Sequence, residues 1–205
     1  MNGIFISFEG PDGSGKSTQI ALLKEYLENK GYDCLVTREP GGTKISEQVR
    51  EILLDPANKA MGYMTEALLY ASARAQLMHE VILPALEAGR AVICDRFVDS
   101  SAVYQGIARG LGVDEIYKLN AYATEGVLPQ LTIHLDLPAS VGIARKKDQK
   151  DLDRMEQEAS SFHEKVAQGY RDLAKLAPDR IRSLDATLPI RDIHSRIIEL
   201  VETVF

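Results

Sequence analysis

Tryptophan is absent from this chain of 205 residues, and cysteine occurs only twice. Two cysteines cannot build a disulfide framework. Cys34 and Cys94 each sit inside a short apolar run, CLV and AVIC, and are read as buried structural thiols. No stretch of about 18 uncharged apolar residues is present to cross a membrane, and MNGIFISFEG lacks the basic and long apolar regions of a signal peptide. A soluble cytoplasmic protein, with no membrane partner, is therefore expected. Positive charge is also scarce: 24 Lys and Arg against 30 Asp and Glu give a net charge of −6, and no dense basic stripe compensates. Charge alone gives no reason to expect nucleic acid, so any anionic partner must be held locally. His79, His134, His163 and His194 are scattered, without H-E-x-x-H or zinc spacing, which argues against a transition-metal site built from protein alone.

What is present is an ordinary globular composition, 45% hydrophobic and 26% charged, on a length suited to one domain spanning 1–205. Apolar runs at Ile4 to Phe8, Cys34 to Thr37, Ala91 to Cys94 and Leu131 to Leu135, with a weaker fifth at Ile181 to Leu184, alternate with helical patterns. Continuous rather than alternating hydrophobicity marks strands covered on both faces, and intervening helices imply crossover connections. The fold class is therefore α/β: a three-layer sandwich with a parallel sheet of about five strands and helices on both faces. One helix is expected from Lys16 to Lys30, stopping at Gly31. A longer one, from Thr65 to Ala88, would carry Ala67, Leu68, Ala71, Ala75, Met78 and Ile82 as its core stripe. The segment 145–154, RKKDQKDLDR, has almost no apolar residue and reads as a mobile, solvated lid.

Chemistry enters after the first strand. Gly10, Pro11, Asp12, Gly13, Ser14, Gly15, Lys16 and Ser17 fit G-x-x-x-x-G-K-[ST] between a strand and a helix, with Thr18 following. Glycines let the backbone aim several N–H groups at phosphate oxygens, the helix N-terminus adds its dipole, Lys16 supplies a point charge, and Ser17 can ligate Mg²⁺. The third run ends in AVICDRF, which puts Asp95 and Arg96 at the carboxyl edge of the sheet, where open α/β sheets bind ligands. Asp95 is a candidate Mg²⁺ carboxylate, and Asp136 in HLDL has the same form.

REPGGT at Arg38 to Thr43, the face Glu66, Tyr70, Arg74, and DRFVDSSAVYQG at Asp95 to Gly106 complete a set with FEGPDGSGKST and DLDRMEQE. In order and spacing the set resembles bacterial thymidylate kinases, P-loop nucleoside monophosphate kinases, over essentially the whole chain. The resemblance implies ATP as co-substrate, Mg²⁺, dTMP as acceptor and a homodimer. It further implies that Asp12 faces the sugar 3′-hydroxyl, that Arg38 and Arg96 hold the acceptor phosphate, that Tyr70 stacks on thymine and that Arg74 bonds the base edge. Ser101, Tyr104 and Gln105 would complete that pocket, while Arg145 would lie over adenine with Asp185 to Thr187 flanking it. The lid departs from the family, since Arg145, Lys146, Lys147, Asp148, Gln149 and Lys150 stand where relatives carry several arginines. Lys147 and Arg154 are the candidate clamps on the transferring phosphoryl group.

A phosphomonoester with a second pKa near ~6 is already an anionic nucleophile at neutral pH, so this chemistry needs no general base. Two alternatives stay open at this stage. A P-loop switch module would bind nucleotide without transfer, although NKGY at Asn29 and NKAM at Asn58 both miss the last position of the guanine-reading N-K-x-D. A deoxynucleoside kinase would need a carboxylate base, and Glu9 or Asp12 could serve.

Overall fold

The apolar runs become parallel strands in the computed structural model, which describes residues 3–146 and 152–205. Strands β1 (Ile4–Glu9), β2 (Cys34–Arg38), β3 (Ala91–Asp95), β4 (Leu131–Asp136) and β5 (Ile181–Asp185) form a five-stranded sheet in the order β2-β3-β1-β4-β5. β1 is central, with Ile6 opposite Ile93 on one side and Leu131 on the other. Each strand runs one residue past its apolar run, to Glu9, Arg38, Asp95, Asp136 and Asp185. Ladder pairing persists to these residues, as in Phe8 opposite Asp95 and Asp136 opposite Asp185. The sheet thus delivers charged side chains along its carboxyl edge.

Helices cover both faces. On one, α1 (Lys16–Asn29) and α9 (Ile190–Val201) lay Ile20, Leu23, Leu27, Ile193 and Ile197 against Ile6, Phe8 and Ile133. On the other, α3 (Tyr63–Leu77), a π-helical turn and α4 (Leu83–Glu87) cover Phe5, Val92 and Cys94, while α8 (Ser160–Leu176) covers Ile181. Fully burying each such side chain contributes about 1.5–3 kcal/mol. The remaining helices, α2 (Lys44–Leu54), α5 (Val98–Ser101), α6 (Val113–Ala123) and α7 (Ala139–Lys146), connect these layers.

The expected long helix is present but interrupted. From Met78 to Ile82 the turn widens, with the Leu83 N–H reaching the Met78 carbonyl, just before Pro84, which has no N–H to donate. Its core stripe also differs: Leu68 is 47% exposed, whereas Ala73 and Leu77 are buried. α3 packs between α2 and α6 as well as toward the sheet, so burial is shared among several of its sides. The expectation of a solvated segment through Arg154 is corrected as well, because Arg154 is only 6% exposed and its backbone N–H donates to the Leu54 carbonyl.

Behind the apolar layers lies a buried polar cluster. The Asp99 carboxylate accepts from Arg180 Nη1 and Nη2 at 2.6 and 2.7 Å, from Thr132 Oγ1 at 2.9 Å and from Tyr117 Oη at 2.5 Å. Removing one partner from a buried pair leaves an uncompensated charge. Arg180→Met is expected to destabilise the protein by roughly 3 kcal/mol, the low end because two hydroxyls still hold Asp99. Urea unfolding measures this directly, and a change below about 1 kcal/mol would mean that the hydroxyls alone satisfy the carboxylate.

Candidate functional site

The loop between β1 and α1 is shaped by what cannot fit. At Gly10, φ is +136° and a Cβ would lie 2.5 Å from the Leu135 carbonyl oxygen, so the backbone passes too close to β4 for any side chain. Gly15 enters α1 in the left-handed region at φ 90°, turning the first free N–H groups of the helix toward the loop. Lys16 Nζ lies across this loop and donates to the Gly10 and Pro11 carbonyls at 3.2 Å each. Burial, reinforced by the nearby Arg96 guanidinium, lowers its pKa to about 8.

Arg96 follows β3 in the left-handed region, with φ 71°. For a residue with a Cβ that conformation costs about 1–2 kcal/mol. Its backbone N–H donates to the Phe8 carbonyl at 2.9 Å, so the strained residue is fixed to the end of β1. Its Nη2 meets Asp12 Oδ1 at 2.7 Å, its Nη1 reaches Ser100 Oγ at 3.3 Å and Tyr170 Oη at 3.2 Å, and its guanidinium lies over the Tyr104 ring. Burial raises the Tyr104 phenol to about 12, so it remains a neutral hydroxyl.

A cavity of about 550 Å³ joins these groups to the other side of the sheet edge. From the sequence-derived set it is lined by Asp12, Gly13, Gly15, Lys16, Ser17, Thr18, Arg38, Tyr70, Arg74, Asp95, Arg96, Ser101, Tyr104 and Gln105. Arg38 is half exposed and forms a two-oxygen contact with Glu47 at 2.9 and 3.0 Å. Arg74, by contrast, is 1% exposed and heavily engaged: it pairs with Glu39 and Asn120 and donates to Ser101 Oγ at 3.1 Å and the Phe97 carbonyl at 3.2 Å. Gln105 gives its Nε2–H to Glu66 Oε1 at 2.9 Å, and burial holds the Tyr70 phenol above its ordinary range.

Other sequence-derived residues lie apart from the lining. Gly10, Pro11 and Ser14 form the body of the loop, and Ser14 is 2% exposed. Asp136 is taken up by Arg171 at 3.0 Å. Arg145 belongs to the last turn of α7, and Lys147 lies outside the described residues. Arg154 is directed into the protein, with Nη1 on Glu66 Oε2 at 2.6 Å and Nε on the Leu53 carbonyl at 2.7 Å.

Several lining residues were not assigned a role from the sequence: Arg50 lies outside every motif, while Glu39 belongs to REPGGT and Asp153, Met155 and Glu156 to DLDRMEQE. Arg50 on α2 donates to the Pro40 carbonyl at 2.8 Å beside Arg38, and burial followed by that like charge lowers its pKa. Glu39, at 6% exposure, leaves Oε1 without a hydrogen-bond partner. Asp153, Met155 and Glu156 also line the cavity. The available signal was modest: Arg50 lies on α2 about two helical turns past REPGGT.

Comparison with known proteins agrees over nearly the full length. The family model described as thymidylate kinase matches residues 8–197. A thymidylate kinase of Geobacillus thermodenitrificans is 49% identical over 203 residues, covering 98% of this chain and 90% of its own. One from Symbiobacterium thermophilum is 50% identical over 201 residues, with 98% and 94% covered. The crystal structure of thymidylate kinase from Ehrlichia chaffeensis superposes with a TM-score of 0.77 at 32% identity, covering 98% of this chain and 99% of that one.

The low pKa of Lys16 has a consequence for nucleotide binding. A lysine titrating near 8 is charged below that pH and neutral above it, so affinity for a polyphosphate falls as pH rises through about 8. The ATP dissociation constant is expected to be flat between pH 6.5 and 7.5 and to rise by up to roughly tenfold per unit above pH 8.5. Calorimetric titration without the acceptor measures it; a flat profile to pH 10 would return the lysine to its ordinary range.

Proposed function

The chain belongs to the thymidylate kinase family, and from that premise we propose how its side chains divide the work of moving the terminal phosphoryl group of ATP to dTMP. The reaction itself is the family's: ATP-dependent phosphorylation of dTMP to dTDP. The observation that carries the assignment of roles is the continuity of the cavity from Lys16 through Arg96 to Arg74, which lets two anionic groups meet beside fixed cations.

The acceptor oxygen is ionised at neutral pH, so the barrier is repulsion between phosphates and the charge of an in-line transition state. Lys16 and the N-terminus of α1 answer the donor phosphates, while Arg96, with Arg38 and Arg50 nearby, answers the acceptor phosphate. The Asp12–Arg96 contact disfavours Asp12 as a base toward a sugar hydroxyl, because a carboxylate beside a guanidinium is a weak proton acceptor. Asp12 is then suited to orient both Arg96 and the sugar.

The Ser101 hydroxyl and Tyr70 are placed to meet the thymine ring. Arg74 is so fully engaged that it acts on the base mainly by ordering Ser101 and the Phe97 backbone around it. Tyr104, neutral and packed under Arg96, fills the floor of the cavity where a ribose 2′-hydroxyl would project. Arg145 and Lys147 remain the proposed contacts of the donor side and the transferring group.

A divalent cation fits the loop. Asp95 Oδ1 is buried without a hydrogen-bond partner, and Ser17 stands exposed at the start of α1 on the same cavity. These two oxygens would hold Mg²⁺, which takes its remaining ligands from phosphates and water. Bound there, the ion supplies positive charge to the phosphate oxygens. Exposed Tyr63, Met64 and Leu68 on α3, with Tyr122 on α6, support a homodimer through that face. Dependence on ATP and nucleotide pools supports a cytoplasmic location.

A coupled assay of ADP release across all nucleoside monophosphates tests the reading. dTMP is expected to exceed dCMP, dGMP and dAMP by at least ~100-fold in kcat/KM, as hydrogen-bonded discrimination allows. Comparable turnover of a purine substrate would sink it. Arg154→Ala separates anchoring from clamping. With Nη1 on buried Glu66, the variant is expected to lose about 2–4 kcal/mol of stability. An unchanged melting temperature with a tenfold lower kcat would instead make Arg154 the clamp.

A further inference from the structure

Glu9 is the last residue of β1, is 0% exposed, and is absent from the cavity lining. Alternation along β1 puts Phe5, Ser7 and Glu9 on one face, so the strand becomes progressively more polar toward its carboxyl end. A buried carboxylate at this position is expensive unless every lone pair is used. Glu9 accepts three hydrogen bonds, two from the segment just after Arg96 and one from Tyr170 of α8. Oε1 accepts the Phe97 backbone N–H at 2.7 Å, and Oε2 accepts the Ser100 hydroxyl at 2.5 Å and the Tyr170 hydroxyl at 2.9 Å. The two hydroxyls lie 2.8 Å apart, and both stand within reach of Arg96 Nη1.

We propose that Glu9 is the positioning residue of Arg96, fixing both its left-handed backbone and the direction from which its guanidinium is held. This inference rests on the reading of Arg96 as a cation that meets the substrate phosphate. Two independent features support it. First, the residue after Arg96 is tied to Glu9 while Arg96 N–H is tied to Phe8, so the strained turn is clamped on both sides by the end of β1. Second, burial, followed by the charge of Asp99, raises the Glu9 carboxyl to about 7, and above that pH the ionised carboxylate can only accept. Ser100 and Tyr170 must therefore turn protons toward Glu9, which leaves their oxygen lone pairs for Arg96 Nη1. Tyr170 is itself held by stacking on His134, with ring centroids 5.1 Å apart. With Nη1 held from behind, Nη2 is left on the Asp12 side of the cavity.

The roles predict non-additivity. Glu9→Gln keeps the shape but adds an N–H donor where Ser100, Tyr170 and Phe97 already donate, so at least one of them must turn away. In an otherwise parental enzyme, Glu9→Gln is expected to lower kcat/KM for dTMP at least tenfold while the ATP dissociation constant, measured without acceptor, changes less than twofold. In an Arg96→Lys background the same substitution is expected to cost less than twofold, because the group it positions is gone. Tyr170→Phe removes one hydroxyl and keeps the ring, and should show a smaller, three- to fivefold loss that also vanishes in the Arg96→Lys background. Parental dTMP kinetics in both single variants, or full additivity with Arg96→Lys, would overturn the positioning role. Should Glu9→Gln not fold, the Tyr170→Phe cycle decides alone. If Arg96→Lys itself turns over dTMP at the parental rate, it is the reading of Arg96 that fails, a result distinct from either outcome for Glu9.

Discussion

Concentrating cations for two phosphates, inside a protein that must also fold without them, is the constraint on which the rest of the architecture turns. Lys16, Arg38, Arg50, Arg74 and Arg96 all line the same cavity. Three are matched by carboxylates: Arg74 by Glu39, Arg38 by Glu47, Arg96 by Asp12. Such pairs gain little net stability against desolvation, but an unmatched member would be strongly destabilising. The carboxylates therefore do double duty, compensating the charge and setting the direction of each guanidinium. Lys16 and Arg50 are met by carbonyls instead, Lys16 by Gly10 and Pro11 and Arg50 by Pro40, and burial lowers the pKa of both.

The same logic extends away from the cavity. Glu66, 0% exposed, gathers Arg109, Arg154 and Gln105, and Arg109 lies between the rings of Tyr63 and Phe162. The hydrogen bonds of these three keep its carboxyl below the usual range despite the opposing effect of burial. Through Gln105 this cluster touches the cavity wall, and through Arg154 it anchors the DLDRMEQE segment. A wall residue of the cavity and the turn at Arg154 thus share one counter-ion.

Much of this was legible in the sequence because it is written in local pattern. Apolar runs marked the five strands, and Gly10 to Ser17 announced a phosphate loop through its spacing between a strand and a helix. Pattern located the ends less well. It stopped each strand at its last apolar residue, while ladder hydrogen bonds carry the pairing on to Glu9, Arg38, Asp95, Asp136 and Asp185. Arg154 was misread for a related reason. A charged residue in a polar stretch looks solvated, and only the distant Glu66 and Leu53 reveal an anchor. Glu39 lay inside REPGGT without an assigned partner, and Arg50 lay outside every motif, since what they do comes from packing of α2 and α3 against the loop after β2. Lys147, the expected clamp, lies outside the described residues.

β1 and β3 are hydrogen-bonded neighbours, and the phosphate loop follows one while Arg96 follows the other. On the proposed division of roles, the separation between the donor and acceptor sides of the reaction begins as an inter-strand spacing, about 4.8 Å, set by backbone geometry rather than by side-chain packing. Helices on either face can breathe without changing it. In the language of amide exchange, central strands are as a rule the slowest-opening parts of a protein and ligand-admitting surfaces the less protected ones, which sets the ruler among the former. Substrate traffic and registration of the reacting groups are thus assigned to regions of different local stability, so that mobility in one need not blur the other.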